Sequence, residues 1–372
     1  MKASEFVNVI GADFYTGVPD SQLKEFCNYL MANYGISSRH IIAANEGNCV
    51  GIAAGHYLAT GEVPVVYMQN SGIGNIVNPY ASLLHSEVYG IPCIFIIGWR
   101  GEPGVPDEPQ HIFQGKVTET LLKDLEIRYY VVSEETGIED IVKVMEEFRD
   151  SLEMGKSVAF IMKKNAFEQE TAVSYQNNNV LCREDAIGII VDAASDDVVV
   201  TTTGKASREL FEIREQNGQS HSHDFLTVGS MGHSSSIALG IALEKRDRKI
   251  WCIDGDGAAL MHMGSMAVVG SNKPTNMVHI VLNNGAHETV GGMPTVSENI
   301  NLPMIAKGCG YQKAVQVQNG EELKAALQQA KRSDELFFIE IKCTIASRGD
   351  LGRPTTSPLE NRTAFMEFLG NG

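Results

Sequence analysis

The pairing of Gly255-Asp256-Gly257 with Asn283-Asn284, 25 residues further along, constrains this chain more than any other feature. Lys249 to Ile253 is a short apolar run that reads as a buried strand, and Asp256 lies at its carboxyl end. A helix expected over about Ala259 to Val269, then a second apolar strand, Met277 to Leu282, lead to the two asparagines. A strand–helix–strand unit brings both strand ends to one edge of a parallel sheet, where open α/β sheets bind their ligands. A carboxylate and an amide oxygen at that edge suit a hard cation such as Mg²⁺ that keeps phosphate oxygens in its shell. Either half alone is equally well explained by turn chemistry, which favours Gly and Asn. Together, at this spacing, they point to an anchor for a diphosphate.

The remaining sequence alternates in the same manner. Val63 to Met68, Ile91 to Ile97, Tyr129 to Val132 and Val158 to Met162 are runs of the buried parallel type, separated by helical patterns such as Ile138 to Phe148. Behind Asp20-Ser21, the residues Leu23, Phe26, Cys27, Leu30 and Met31 follow i, i+3, i+4, i+7, i+8 spacing, which predicts a helix capped by that pair. In the second half the strand candidates are Val198 to Thr201, Leu226 to Val228, Lys249 to Ile253, Met277 to Leu282 and Leu336 to Ile341. The chain turns polar between Phe167 and Leu181, and 372 residues suffice for two domains with a core each. The expected organisation is α/β, with two doubly wound parallel-sheet domains at residues 1–166 and 182–372 and a linker at 167–181. No G-x-G-x-x-G opens a helix after a strand, since Gly72-Ile73-Gly74 lacks the third glycine, so a dinucleotide site has little support.

Charge narrows the partners. With 30 basic against 46 acidic residues the formal charge is −16, which disfavours nucleic acid and anionic membranes. An anionic substrate would need local cations to reverse that field. No run reaches the roughly 18 apolar residues of a membrane span, and the first residues lack a stretch of signal-peptide character. Seven cysteines have no CxxC spacing, and Cys49, Cys93, Cys252 and Cys343 sit in apolar surroundings. They read as buried thiols of a reducing compartment, so the cytoplasm is the expected location.

Further segments carry a resemblance. They are Gly17-Val18-Pro19-Asp20-Ser21, Asn45-Glu46-Gly47 with Gly51 and Gly55, and Asn70-Ser71-Gly72-Ile73-Gly74-Asn75. Gly98-Trp99-Arg100-Gly101-Glu102-Pro103-Gly104, Gly229-Ser230-Met231-Gly232-His233 and Asn284-Gly285-Ala286-His287-Glu288-Thr289 complete the set. With the anchor, they make the sequence similar over nearly its whole length to the thiamine-diphosphate-dependent phosphonopyruvate decarboxylase family, close to the sulfopyruvate decarboxylases. The resemblance implies two domains of the thiamine-diphosphate-binding fold, pyrimidine-binding first and diphosphate-binding second, with no middle domain. It also implies thiamine diphosphate and Mg²⁺ as cofactors.

Residue roles follow from the same resemblance. Glu46 would exchange a proton with the cofactor's pyrimidine ring; taken by itself it is an acid complementing a helix N-terminus. Met231 would be the apolar wedge that bends the cofactor, where composition alone suggests core packing. Asp256, the Asn284 side chain and the Ala286 carbonyl would ligate the metal. Thr203-Gly204-Lys205 opens a helix after a strand, a natural site for anion-binding amides, so Gly204 is expected to touch cofactor or substrate, with Ser230 and Gly257 beside the diphosphate. His111 is the candidate proton donor once carbon dioxide has left, with His85 and His287 competing.

The implied reaction is decarboxylation of 3-phosphonopyruvate to phosphonoacetaldehyde and CO₂, a step of phosphonate biosynthesis. Sulfopyruvate decarboxylation is the alternative within the class. A thiamine-diphosphate-binding regulatory protein without catalysis is the alternative outside it. Acetolactate synthases, which join two keto acids, usually carry a flavin domain for which the chain has no room. Candidate contacts for the small anionic 2-oxo acid are Ser21, Asn75, Arg100, Lys205 and Arg353, with Arg348 a further cation. The family plan faces the pyrimidine domain of one subunit with the diphosphate domain of another, so a homo-oligomer of at least two chains is expected.

Overall fold

The computed structural model describes residues 1–370, and the chain divides between Ser174 and Tyr175 into two compact units. The division falls inside the polar stretch expected as a linker.

In the first unit the strands are β1 (Tyr15–Gly17), β2 (His40–Ile42), β3 (Val65–Gln69), β4 (Ile94–Gly98), β5 (Arg128–Val132) and β6 (Val158–Met162). They form one parallel sheet in the order β2-β1-β3-β4-β6-β5. The helices are α1 (Ala3–Ile10), α2 (Lys24–Tyr34), α3 (Glu46–Thr60), α4 (Ile73–Pro79), α5 (Pro109–Asp124) and α6 (Ile138–Glu153). Successive strand residues face opposite sides of a sheet. Every residue from Val65 to Met68 and from Val158 to Met162 is buried, so both faces are covered.

The second unit contains β7 (Val198–Thr201), β8 (Asp224–Leu226), β9 (Ile250–Gly255), β10 (Met277–Asn283), β13 (Lys313–Val317) and β14 (Phe337–Lys342), with a short hairpin of β11 (Ala286–His287) and β12 (Met293–Pro294). Its helices are α7 (Arg183–Ala194), α8 (Lys205–Gln216), α9 (Ser234–Glu244), α10 (Asp256–Met261), α11 (Gly264–Asn272), α12 (Leu302–Cys309), α13 (Gly320–Arg332) and α14 (Pro358–Phe368). Trp251, Ile253, Ile280 and Ile339 pack with Ile187, Leu210 and Leu327 of α7, α8 and α13. The alternate residues Ile250, Cys252, Val281 and Phe338 pack with Ala238, Val269, Ala306 and Phe365 of α9, α11, α12 and α14. The six main strands run β13-β14-β10-β9-β7-β8. Counted from its own first strand, each sheet reads 2-1-3-4-6-5, so one topology is used twice although the sequence shows no internal repeat.

Several local expectations are corrected. Asp20-Ser21 does not cap α2, whose N-cap is Leu23 without a side-chain bond; Asp20 Oδ2 instead accepts from the Gln22 N–H at 2.8 Å in the preceding turn. The helix expected over Ala259 to Val269 is two, α10 and α11, because His262 leaves helical geometry at φ −130°, ψ 48°. The strand expected at Leu226 to Val228 is Asp224–Leu226, whose buried Asp224 is gripped by Arg214 of α8 at 3.0 and 3.1 Å. Hydropathy cannot register a charged residue neutralised in this way. No helix of the described residues is long and apolar enough to cross a membrane, and all seven cysteines are free thiols.

Candidate active site

The second unit's strand order reverses direction between β7 and β9, and a crevice opens at such a switch point outside the carboxyl ends of the strands. There the chain leaves β7 through Thr203-Gly204 into α8, β9 through Gly255 into α10, and β10 through Asn283 and Asn284. Leu282 pairs with Gly255, so Asp256 and the asparagines follow adjacent strand ends. Asp256 is 3 % exposed, and its Oδ2 accepts from Thr295 Oγ1 at 2.6 Å and Ser297 Oγ at 2.9 Å. Burial nevertheless lifts its pKa to about 6. Asn284 donates through Nδ2 to Glu288 Oε2 at 3.1 Å and accepts at Oδ1 from the Ala286 N–H at 3.0 Å. A carboxylate only accepts, so Glu288 determines which end of the Asn284 amide is nitrogen.

Glu288 is held in turn. Lys205 Nζ donates to its Oε1 at 2.9 Å, and Arg183 donates to its Oε2 while bonding Glu209 twice at 2.7 Å. Burial would raise the Glu288 carboxyl, but Arg183 and Lys205 outweigh it and keep the group below its ordinary range. Met231 and His287 converge over Gly257: a Cβ built there would lie 3.3 Å from the Met231 methyl and 3.3 Å from His287 Cε1. Burial pushes His287 down to about 4, so it is a neutral imidazole at physiological pH. Ser230 adopts a left-handed backbone at φ 51°, is exposed, and pairs with His233 Nδ1 at 3.2 Å. Gly204, the residue before α8, has φ +93°, a conformation open to glycine at little cost.

In the first unit the same switch point lies between β1 and β3. Glu46 is the first residue of α3, whose N-cap Asn45 accepts from the Asn48 N–H at 2.9 Å. It is 4 % exposed, and its Oε2 accepts from Asn75 Nδ2 at 2.7 Å. Burial raises its pKa while the Asn75 bond opposes the rise. Asn75 is thus committed to Glu46. Arg100 donates through Nε and a terminal nitrogen to Asp107 and through the other to Ser21 Oγ at 3.0 Å. Against the effect of its own burial, Arg100 and two backbone N–H groups hold the Asp107 carboxyl well below the usual carboxylate range. His111 is buried near the start of α5 with Nδ1 unpartnered among the described residues, and burial and the Arg100 charge lower its pKa. His85 lies 3.9 Å from Glu126 and edge-on to Tyr80. Of the second unit's cations, Lys205 is engaged by Glu288 and Ser347, Arg348 by Glu184, Glu212 and Asp350, and Arg353 is exposed in the same loop as Arg348.

These arrangements agree with what the chain resembles. Residues 4–132 match the model of the thiamine pyrophosphate enzyme N-terminal TPP binding domain, and residues 202–341 that of the C-terminal TPP binding domain. The chain belongs to the thiamine pyrophosphate enzymes. It is 32 % identical to phosphonopyruvate decarboxylase of Streptomyces viridochromogenes, over 97 % of this chain and 92 % of that one. It is 26 % identical to sulfopyruvate decarboxylase of Methanosarcina acetivorans, over 99 % and 97 %. Sulfopyruvate decarboxylase subunit beta of Methanococcus maripaludis is 36 % identical over 40 % of this chain and 77 % of its own.

The donor chemistry of this thiamine pyrophosphate enzyme fits its cofactor and a divalent metal. The groups acting on buried Asp256 are hydroxyl and backbone N–H donors, leaving its charge to be met by a cation. Carboxylate, amide and carbonyl oxygens from Asp256, Asn284 and Ala286 are the hard ligands that Mg²⁺ takes. The missing Cβ of Gly257 admits the Met231 methyl and the His287 ring, each of which a Cβ there would meet at 3.3 Å. The sequence did not single out Thr295, Ser297, Arg183 or Glu209, and it gave Asp20 only a capping role. Glu288 lay inside a recognised segment, but nothing in the chain's order links Arg183 to Glu209, 26 residues apart on different helices.

Proposed function

We propose that this chain decarboxylates 3-phosphonopyruvate to phosphonoacetaldehyde and CO₂, using thiamine diphosphate and Mg²⁺. The observation that carries the reading is Glu46, a nearly fully buried carboxyl at a strand-end crevice with, among the described residues, a single side-chain donor on one oxygen. The full-length similarity to phosphonopyruvate decarboxylases supports the substrate. Bound thiamine diphosphate would supply a carbon nucleophile and an electron sink for the pair released when CO₂ departs. Glu46 holds and returns the proton of the pyrimidine ring at Oε1. Met231, seated over Gly257, would be the apolar wedge against which the cofactor packs, with Gly204 and Ser230 as further contacts. Asp256, Asn284 and the Ala286 carbonyl hold Mg²⁺. His111 delivers the proton that replaces the lost carboxylate, and Ser21 with Arg100 faces the acid substrate, as Lys205 and Arg353 do from the diphosphate-binding unit.

Incubating the purified protein with thiamine diphosphate, Mg²⁺ and phosphonopyruvate should release CO₂ and an aldehyde in equal amounts; neither product would overturn the reading. Sulfopyruvate decarboxylation is the second reading, favoured by the similarity spanning 99 % of this chain. Side-by-side kcat/KM values for phosphonopyruvate, sulfopyruvate and pyruvate separate the two. The chain acts as a homo-oligomer whose sites combine the pyrimidine-binding unit of one copy with the diphosphate-binding unit of another. The free thiols suit the cytoplasm.

A further inference from the structure

We infer that Asn75 is a positioning residue that assigns the proton of Glu46 to one oxygen, Oε1, and that it does not contact the substrate. This deepens the proposed function, because it rests on Glu46 being the proton-exchanging acid. The two oxygens of Glu46 stand in different surroundings. Oε2 accepts from Asn75 Nδ2 at 2.7 Å, a short bond for an amide donor. Oε1 lies toward Gly72, where an added Cβ would come within 2.5 Å of it, so the backbone there approaches as only glycine permits. The beginnings of α3 and α4 also interlock at Gly47, where a Cβ would sit 3.2 Å from the Asn75 carbonyl oxygen. The Asn45-Glu46-Gly47 and Asn70-to-Asn75 segments are therefore two faces of one clasp around the carboxyl.

The chemistry follows from donor capacity. An amide NH₂ donates and cannot accept, so an Oε2 that faces it cannot carry a proton along that line. In the neutral acid the proton sits on Oε1; in the anion Oε2 keeps its bond. Asn75 thus serves both protonation states while fixing the atom that exchanges. It also favours the anion, as a charge-assisted bond does, against the burial that favours the acid. The influences acting on Glu46 are burial, Asn75 and its own backbone N–H. Cys49, one turn along α3, is the titratable neighbour that feels Glu46; burial first and Glu46 second push its thiol far upward, so it stays neutral. That thiol donates to the Asn45 carbonyl oxygen at 3.4 Å.

Asn75→Ala and Asn75→Asp, with Asn75→Gln as the conservative variant, test this in the full-length holoenzyme. Removing the donor should lower kcat for phosphonopyruvate ~10- to 100-fold at pH 7 and move the acid limb of its pH profile up by about one unit. The like charge of Asn75→Asp should move it further, Asn75→Gln should recover part of the loss, and KM should stay within about threefold. The pH dependence of thiamine diphosphate affinity, read by calorimetry, should shift in the same direction without any turnover. In a Glu46→Gln background Asn75→Ala should add little. A large rise in KM with an unmoved acid limb, or an undiminished effect in that background, would overturn the inference. If Asn75→Ala fails to fold, Asn75→Ser supplies the same comparison. If the wild type binds cofactor but releases no CO₂, the proposed function fails while the calorimetric pH shift still decides the role of Asn75.

Discussion

Asp20 is fully buried, with Oδ1 lacking a partner among the described residues, and burial lifts its pKa to about 6 although the Gln22 N–H and Arg100 pull it down. An acid raised in the folded state weakens the fold as pH climbs from its unfolded value toward the folded one. The penalty therefore grows between about pH 4 and 6 and stays near 3 kcal/mol, as an order-of-magnitude figure, above that. Asp20→Asn should raise the thermal midpoint at pH 8 and leave it nearly unchanged at pH 4; an equal gain at both would show another cause. Glu46→Gln should cost more than about 100-fold in decarboxylation without lowering the midpoint, since it replaces a buried acid by a neutral isostere. Glu46, Asp256 and Asn284 could be singled out in the sequence because each belongs to a short contiguous motif, and the fold buries all three. Asn75 was legible as a motif residue but not in its role, because its partner lies 29 positions away. Thr295 and Ser297 gave no signal at all: hydroxyls become recognisable ligands of a carboxylate only once β10 and the hairpin bring them to Asp256.

Among the elements, the loop after β4 and helix α5 touch backbone to backbone. A Cβ at Gly115 would fall 1.7 Å from the Gly101 carbonyl oxygen, and one at Gly101 would fall 1.9 Å from that of His111. Gly115→Ala should therefore cost about 2–3 kcal/mol in denaturant unfolding and shift α5, lowering turnover with it through His111. On the other unit's edge, Arg214→Met leaves Asp224 buried without its cation and should cost about 3–5 kcal/mol, whereas adding Asp224→Leu should recover most of that. The elements explain what periodicity can and cannot read. Val158–Met162 and Val198–Thr201 were found to the residue, because an unbroken apolar run has few other interpretations. The three-residue strands Tyr15–Gly17 and His40–Ile42 are too short to show a period, and Lys313–Val317 at the sheet edge is half polar.

For the whole molecule, family membership and two parallel sheets were legible in the chain's order, but the shared 2-1-3-4-6-5 topology was not. Strand order is set by long-range pairing, and short buried strands are compatible with many orders. Chelating the divalent metal should release thiamine diphosphate and abolish turnover, with recovery on adding Mg²⁺ back; retained cofactor after chelation would contradict the Asp256–Asn284 anchor. Sedimentation should find the active species as a dimer or larger, and full turnover from a single sedimenting chain would exclude shared sites. Because each unit closes a hydrophobic interior of its own, the peptide bond joining Ser174 to Tyr175 is dispensable for either interior. A gene severed at that point should yield two polypeptides that fold separately and regain decarboxylation when mixed.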